Sequence, residues 1–301
     1  MKFFKNLIKH PGRAVVIGVP FVWLTFAFLI PFLIVLRLSF ADLDSGEGGP
    51  FGSLVTVADG VMTLKVKISN YLYILEDELY AITYLNSLKF AAITAALCLA
   101  IGYPFAYFMA RARPAIRPVL LMLVMMPFWT SFLLRIYAWK GILANNGILN
   151  SFLLNLGVIS EPLHLMNTQF SLIIGMVYAY LPFMILPLYA NLVKMDVRFL
   201  EAAADLGATP WQTFWRITVP LSKSGIIAGT MLVFIPAVGE YVIPELLGGP
   251  ETLMIGRQLW DEFFTNNDWP LASSVTVVVI LLILVPMAIF NKYQADQEAR
   301  K

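Results

Sequence analysis

The sequence predicts an all-α integral membrane protein with six transmembrane helices. Of the 301 residues, 59% are hydrophobic and 13% are charged, an apolar excess that an ordinary soluble domain does not have. A hydrocarbon core of about 30 Å requires about 20 apolar residues in helical form. The segments that reach this length lie near 14–36, 85–109, 118–138, 170–190, 224–246 and 271–290.

The domain organisation follows from these segments. We expect the whole chain, 1–301, to form a single transmembrane domain, with 14–36 as its first span and 85–290 as a five-helix core. The first span follows basic residues, as the apolar core of a signal peptide does. It is longer than such a core and lacks a small-residue cleavage pattern, so we interpret it as a retained helix.

The distribution of basic residues predicts the orientation. With six spans, both termini lie on one side together with 110–117 and 191–223, and fourteen of the 21 Lys and Arg residues fall in these segments. The opposite side, near 37–84, 139–169 and 247–270, holds four of them. Because Lys and Arg are retained on the cytoplasmic side, we predict that both termini are cytoplasmic. The same bias is sufficient to explain the excess of acidic residues on the outer side.

A polar stretch separates the fourth and fifth spans, and its sequence over 199–220 is FLEAAADLGATPWQTFWRITVP. Asp196 is placed to cap a first short amphipathic helix, and Gly207 is the residue expected just past its end. Thr209 and Gln212 have the spacing of a capping box at the start of a second helix. We therefore predict a stiff cytoplasmic elbow over 196–220.

Two interpretations of the elbow are open, a passive position on the bilayer surface or docking to another protein. A membrane-binding helix is rich in Lys and Arg on its polar face. The first elbow helix instead carries Glu201 and Asp205 against Arg198, and its small residues Ala202 and Ala203 allow another backbone to approach closely. This composition favours docking to a protein.

The elbow also resembles a known motif. EAAADLG, followed nine residues later by ITVP, is similar to the EAA loop of permease subunits from binding-protein-dependent ABC importers, with Val219 in place of the usual leucine. The resemblance implies the importer permease fold, in which this loop is the coupling helix that seats in a cleft of a cytoplasmic ATPase. It assigns ATPase coupling to Glu201, Ala202, Ala203 and Gly207.

Two further stretches, 126–150 and 239–274, resemble permeases of spermidine and putrescine importers, most nearly the first permease of the putrescine-type pair. This resemblance implies a multi-pass subunit of the bacterial inner membrane with a polyamine substrate. The implied partners are a second homologous permease, an ATPase dimer and a periplasmic polyamine-binding protein. Because the chain has no G-x-x-x-x-G-K-[ST] phosphate loop, ATP and Mg are expected on the partner ATPase, and no cofactor or metal is expected in this chain.

The chemistry of a polyamine suggests where it would pass. Its ammonium groups require carboxylates and aromatic faces. Glu240, in the fifth span, is the foremost candidate, followed directly by Tyr241. Pro236 and Pro244 flank it, and an interrupted helix between them would expose backbone carbonyls to a cavity.

Glu240 has a second interpretation, a static ion pair with Lys89 of the second span or Arg135 of the third. The sequence is compatible with both interpretations, substrate contact and static ion pair. The aromatic residues that could line the same path are Trp129, Tyr137, Tyr178 and Tyr180.

Three other functions are alternatives to polyamine import. A membrane enzyme is disfavoured because the chain has only two histidines and no H-E-x-x-H pair. A secondary transporter is disfavoured because no inverted repeat is found. An importer permease for another small solute, such as an inorganic anion, remains the alternative, because Arg135 and Lys89 would suit an anion.

Overall fold

Helices dominate the fold of the chain. The computed structural model describes residues 11–43, 51–52, 55–58, 61–64 and 66–298. The predicted all-α class needs one correction, since a short antiparallel hairpin pairs β1 (Val55–Ala58) with β2 (Val61–Leu64). Val55, Thr56 and Val57 in β1 and Val61 and Thr63 in β2 are β-branched, a composition typical of β-structure that the helix-based prediction did not use.

The helices are named in chain order. Short 3-10 turns lie at Met126–Trp129 and Pro250–Thr252, and π-helical turns at Phe214–Thr218 and Asp261–Thr265. The α-helices are α1 (Pro11–Leu38), α2 (Ser69–Glu76), α3 (Glu78–Arg111), α4 (Arg117–Met125), α5 (Phe132–Leu143), α6 (Ile148–Asn155), α7 (Gln169–Leu192), α8 (Arg198–Asp205), α9 (Pro210–Thr213), α10 (Val219–Leu221), α11 (Lys223–Val238), α12 (Val242–Leu247), α13 (Ile255–Trp260) and α14 (Trp269–Glu298).

The chain divides into two compact units. The first unit comprises Met1–Asp77 and Leu259–Lys301, and the second comprises Glu78–Gln258. In the first unit, Ser39 organises the end of α1, because its carbonyl accepts hydrogen bonds from Ser274 Oγ (2.9 Å) and Asn70 Nδ2 (3.4 Å). These side chains satisfy a carbonyl that a helix end leaves without an intrahelical partner.

Close approach of three helices, α3, α7 and α11, forms the core of the second unit. The contact between α7 and α11 depends on two glycines. A Cβ added to Gly225 would lie 2.8 Å from the Cβ of Asn191 and 3.1 Å from the carbonyl oxygen of Pro187. A Cβ added to Gly229 would lie 2.7 Å from Sδ of Met184. The two backbones therefore pack with no room for a side chain at these positions.

Three helices in the described ranges are long and apolar enough to cross a membrane: α1 from Val15, α3 and α7. Two bent pairs raise the number to five if each is one span, α4 to α6 with a bend of 86° and α9 to α11 with a bend of 66°. The predicted continuous span at 118–138 is wrong. The chain leaves the helix at Thr130 and Ser131, after a 3-10 turn in which Thr130 Oγ1 donates to the carbonyl of Pro127 at 2.8 Å.

The packing of α7 on α11 gives a first prediction. We expect Gly225→Ala to lower the thermal unfolding midpoint of the detergent-solubilised protein, because overpacking of this kind costs about 1–3 kcal/mol. Gly141→Ala is the matched control, since a Cβ at Gly141 meets nothing within 4 Å. Alanine is favoured over glycine in a helix by about 0.5–1 kcal/mol, so the control should be as stable as the wild type or more stable. Equal midpoints for the two variants would contradict the close packing described above.

Candidate functional site

The first elbow helix, α8, ends as predicted. Its C-terminal cap is Leu206, and Gly207 follows with a left-handed φ of +79°. The amide of Gly207 donates to the carbonyl of Ala204 and the amide of Ala208 to that of Ala203, both at 2.9 Å. This pair of bonds is a Schellman motif, in which glycine is the favoured residue because it has no Cβ.

The start of α8 differs slightly from the prediction. Val197 occupies the N-cap position and Asp196 lies one residue before it. Asp196 still serves the helix, since its Oδ1 accepts a hydrogen bond of 3.0 Å from the amide of Arg198. The predicted cap is therefore displaced by one residue and keeps its chemical role.

The second elbow helix begins with the predicted capping box. Thr209 Oγ1 accepts from the amide of Gln212 at 3.3 Å, and Gln212 Oε1 accepts from the amide of Thr209 at 3.0 Å. Pro210 occupies the first helical position, where its missing amide is not needed. Both elbow helices are thus closed by bonds between near neighbours in sequence.

Large apolar side chains remain exposed on the elbow. Glu201 and Ala202 are exposed beside them, whereas Ala203 is only 5% exposed and packs inward. Exposed apolar surface of this kind is typical of protein–protein and membrane contacts. We call these side chains, together with Glu201, the elbow surface; the apolar members are Phe199 (55% exposed), Leu206 (88%), Trp211 (70%) and Trp215 (52%).

The second feature of interest is an interruption after α11, where the helix ends at Val238 and α12 begins at Val242. Glu240 lies in the gap. Its Oε1 accepts hydrogen bonds from the amides of Val242 (3.0 Å) and Ile243 (3.4 Å), and its Oε2 accepts one from the hydroxyl of Tyr180. The carboxylate therefore caps α12 and is held by α7, and the predicted span over 224–246 is interrupted between Val238 and Val242.

A glycine packs against the opposite side of this interruption. A Cβ added to Gly256 would lie 2.5 Å from the carbonyl oxygens of both Gly239 and Glu240. Ile255 is fixed beside it, because its amide donates to Ser87 Oγ at 2.8 Å. The two carbonyls that we predicted to face a cavity instead lie against α13.

The static ion pair of Glu240 with Lys89 or Arg135 is not formed among the residues that the structure describes. A nearby carboxylate does form an ion pair: Glu245 Oε2, on α12, lies 2.8 Å from Arg257 Nε, on α13. Lys89 is exposed, with its Nζ 5.2 Å from the centre of the Phe90 ring.

An aromatic row instead extends from Glu240 towards Arg135. The ring centres of Tyr180 and Phe183 are 6.2 Å apart, those of Phe183 and Phe128 are 5.1 Å apart, and the guanidinium of Arg135 lies 5.7 Å from the centre of Phe128. Sequence analysis missed Phe128 and Phe183. A signal was available for Phe183, since it follows Tyr180 by three residues and shares its helix face.

The other predicted path residues lie outside this row. Trp129 is 86% exposed and Tyr137 is 53% exposed, whereas Tyr241 is half-buried at the cap of α12. Tyr178 contacts Trp139, with ring centres 5.5 Å apart. The structure therefore joins Glu240 and Tyr180 directly.

The first unit holds an acidic cavity of about 660 Å³. Its lining includes Tyr73, Glu76, Glu262 and Asp268. The pKa of Tyr73 is raised, chiefly by the negative charge of Asp77, and further by desolvation, by a hydrogen bond to Asp77 and by the charges of Glu262 and Asp268. The cavity is thus a region of negative potential. Across the described residues, no three His, Cys, Asp or Glu side chains are grouped so as to hold a metal ion.

Known proteins resemble this chain over most of its length. The spermidine/putrescine transport system permease protein PotB of Haemophilus influenzae is 41% identical over 292 residues, which cover 97% of this chain and 96% of that protein. The protein of the same name from Escherichia coli K12 is 42% identical over 265 residues, covering 87% of this chain and 91% of the relative.

The fold has a solved counterpart. A crystal structure of a bacterial ABC transporter involved in the import of the acidic polysaccharide alginate contains a chain that superposes with a TM-score of 0.69, covering 99% of both chains at 16% identity. So low an identity shows the fold alone. The family model described as binding-protein-dependent transport system inner membrane component matches residues 92–297. The chain therefore belongs to this family of inner-membrane permeases, which are translocation subunits rather than enzymes.

Proposed function

We propose that the chain is a permease subunit that carries putrescine, spermidine or both across the bacterial inner membrane by alternating access. The observation that carries this proposal is the full-length likeness to spermidine/putrescine permeases. The carboxylate of Glu240 and the aromatic row beside it suit a chain of ammonium groups, which bind to carboxylates and to ring faces.

We propose six spans with both termini in the cytoplasm. Supporting this, α14 covers the predicted sixth segment, and the basic residues gather in the segments that we assign to the cytoplasm. The elbow of α8 and α9 then lies between the fourth and fifth spans on the cytoplasmic side. There it serves as the coupling helix, with Glu201, Ala202, Ala203 and Gly207 as its coupling residues.

One six-helix chain encloses half of a transport path, so the proposed complex needs further subunits. These are a second homologous permease, an ATPase dimer that binds ATP and Mg, and a periplasmic polyamine-binding protein. No residue in the apolar window of α1 is buried within this chain, which agrees with a helix that contacts lipid or another subunit. The exposed elbow surface is the part of the chain that we assign to the ATPase.

We assign Glu240 the role of binding an ammonium group of the substrate. Tyr180 holds the carboxylate in place through its hydroxyl, and the ring faces of Phe183 and Phe128 continue the path by cation–π contact. We place the remaining predicted residues along the same path through the membrane, Tyr241, Trp129, Tyr137, Arg135 and Lys89.

Import of an anion is a second candidate, and one observation favours it. The guanidinium of Arg135 lies near the ring centres of Phe128 and Phe132, and its Nε is buried without a hydrogen-bond partner among the described residues. A guanidinium donor in that state suits a carboxylate or an oxyanion. Uptake of labelled anions by the same complex would distinguish this candidate from polyamine import.

The main test compares wild type and Glu240→Gln. We expect proteoliposomes with the full complex, ATP inside and binding protein outside to import radiolabelled putrescine or spermidine. Glu240→Gln keeps an oxygen that can cap α12 but loses the charge. Because a hydrogen bond to a charged group contributes about 1.5–3 kcal/mol, we expect uptake at subsaturating substrate to fall about tenfold or more.

Glu251→Gln is the matched control, because Glu251 is an exposed carboxylate in the turn after α12. Its uptake should equal that of the wild type. Equal loss in both variants would remove the role of Glu240. No polyamine uptake by an intact wild-type complex that hydrolyses ATP would overturn the proposed substrate and leave the importer function standing.

A further prediction concerns the elbow. We expect Glu201→Lys to leave insertion and assembly intact and to lower the ATP hydrolysis stimulated by binding protein, because the exposed carboxylate is reversed at the proposed ATPase contact. Asp205→Lys is the control, since it reverses an exposed charge on the same helix at a position that is not among the assigned coupling residues. Stimulated hydrolysis that is unaltered by Glu201→Lys would remove Glu201 from the coupling residues.

A further inference from the structure

Phe214 joins the end of the elbow to the membrane helix α3. It directly follows α9, and its ring meets two tyrosines of α3 edge-on. The ring centres are 5.4 Å apart for Tyr103 and 6.1 Å apart for Tyr107, with interplanar angles of 87° and 90°. Edge-to-face pairs of this kind stabilise a contact beyond the area that they bury.

The two tyrosines are themselves fixed. The hydroxyls of Tyr103 and Ser222 share a hydrogen bond of 2.8 Å, and both residues are buried. Ser222 is the residue before α11, so this bond ties α3 to the start of the next helix. The guanidinium of Arg111 lies over the ring of Tyr107, 5.5 Å from the centre of that ring. Phe214 therefore packs against two tyrosines that are themselves held by other residues.

The backbone around Phe214 is a weak point of the chain. It forms a π-helical turn over Phe214–Thr218, and the axis bends by 66° before α11. Thr218 Oγ1 is buried and has no hydrogen-bond partner within the described ranges. A π-turn has a less favourable hydrogen-bond register than an α-helix, and an unsatisfied buried hydroxyl adds to its cost. A force applied to the elbow would bend the chain here unless something opposed it.

The elbow surface is in direct contact with Phe214. Trp211 stacks on its ring with centres 6.1 Å apart, and Trp215 meets it edge-on at 5.3 Å. Both tryptophans are largely exposed. A partner that presses on these tryptophans therefore presses Phe214 against α3.

We propose that Phe214 is a positioning residue that braces the elbow against α3. With the brace in place, a displacement of the elbow moves the closely packed core of α3, α7 and α11 as one body. Without it, the π-helical turn bends and absorbs the displacement. This inference rests on the proposed coupling role of the elbow, and it adds the side chain through which movement reaches the membrane helices.

The test measures polyamine imported per ATP hydrolysed by the full complex in proteoliposomes. We expect Phe214→Ala to lower this ratio about fivefold, as expected for the loss of contacts to two rings. Phe214→Leu, which keeps most of the side-chain volume but loses the ring, should also lower the ratio. Phe214→Tyr, which keeps the ring, should have the wild-type ratio. Combining Phe214→Ala with Tyr107→Leu should reduce the ratio little further than either change alone, because the two rings act through one contact.

Phe263→Ala is the control for a general loss of aromatic packing, because Phe263 stacks on Trp269 at 4.9 Å in the first unit. It should leave the ratio unchanged. An unchanged ratio in both Phe214→Ala and Phe214→Leu, or an equal fall in Phe263→Ala, would overturn the brace.

A second readout does not depend on the substrate. Spin labels are attached through Arg113→Cys, after α3, and Asp205→Cys, on the elbow, in a Cys98→Ala background. We expect the distance distribution to stay narrow in the resting and vanadate-trapped wild-type complexes and to broaden on trapping in Phe214→Ala. A distribution as narrow in the variant as in the wild type would refute the brace. If trapping broadens the distribution in Phe214→Ala but not in the wild type, and the complex imports no polyamine, the brace is supported and the proposed substrate is wrong.

Discussion

A peptide group that leaves a helix where water cannot reach it needs another hydrogen-bond partner, and this constraint governs three interruptions of the second unit. Each of the three is closed by a polar side chain. Glu240 accepts the amides that begin α12, Ser87 accepts the amide that begins α13, and the hydroxyl of Thr130 donates to a carbonyl of the preceding turn. These three polar residues thus have a structural task, and any transport role of Glu240 is added to it.

The elbow, which we propose lies outside the lipid and is covered by a partner, keeps its shape through bonds within its own sequence. Its two helices are closed by bonds between residues three to five apart, through the Schellman motif at Gly207 and the capping box at Thr209. Its apolar side chains stay exposed in consequence. In the brace that we propose, the part of the chain that would bend begins only after α9, in the π-helical turn.

Local features were predictable from the sequence and long-range ones were not. Apolar length places both ends of α1 and α7 within three residues and those of α3 within seven, and the caps at Gly207 and Thr209 follow from residue type and spacing. The partner of Glu240 lies 60 residues away at Tyr180, and the row through Phe128 and Phe183 joins two helices, so neither leaves a local pattern. The break at Thr130 was not predicted, because hydropathy depends on side-chain polarity and carries no information about backbone geometry.

Glu240 has two roles, as the cap of α12 and as the proposed substrate ligand, and the first role limits how substrate preference can change during evolution. A change that removed only the charge would keep α12 intact if the new side chain still presented an oxygen to the amides of Val242 and Ile243, as serine, threonine or asparagine does at a helix start. An aliphatic residue would lose the cap as well as the charge. Relatives that transport solutes of other charge are therefore expected to carry, at this position, a neutral residue that can still begin a helix.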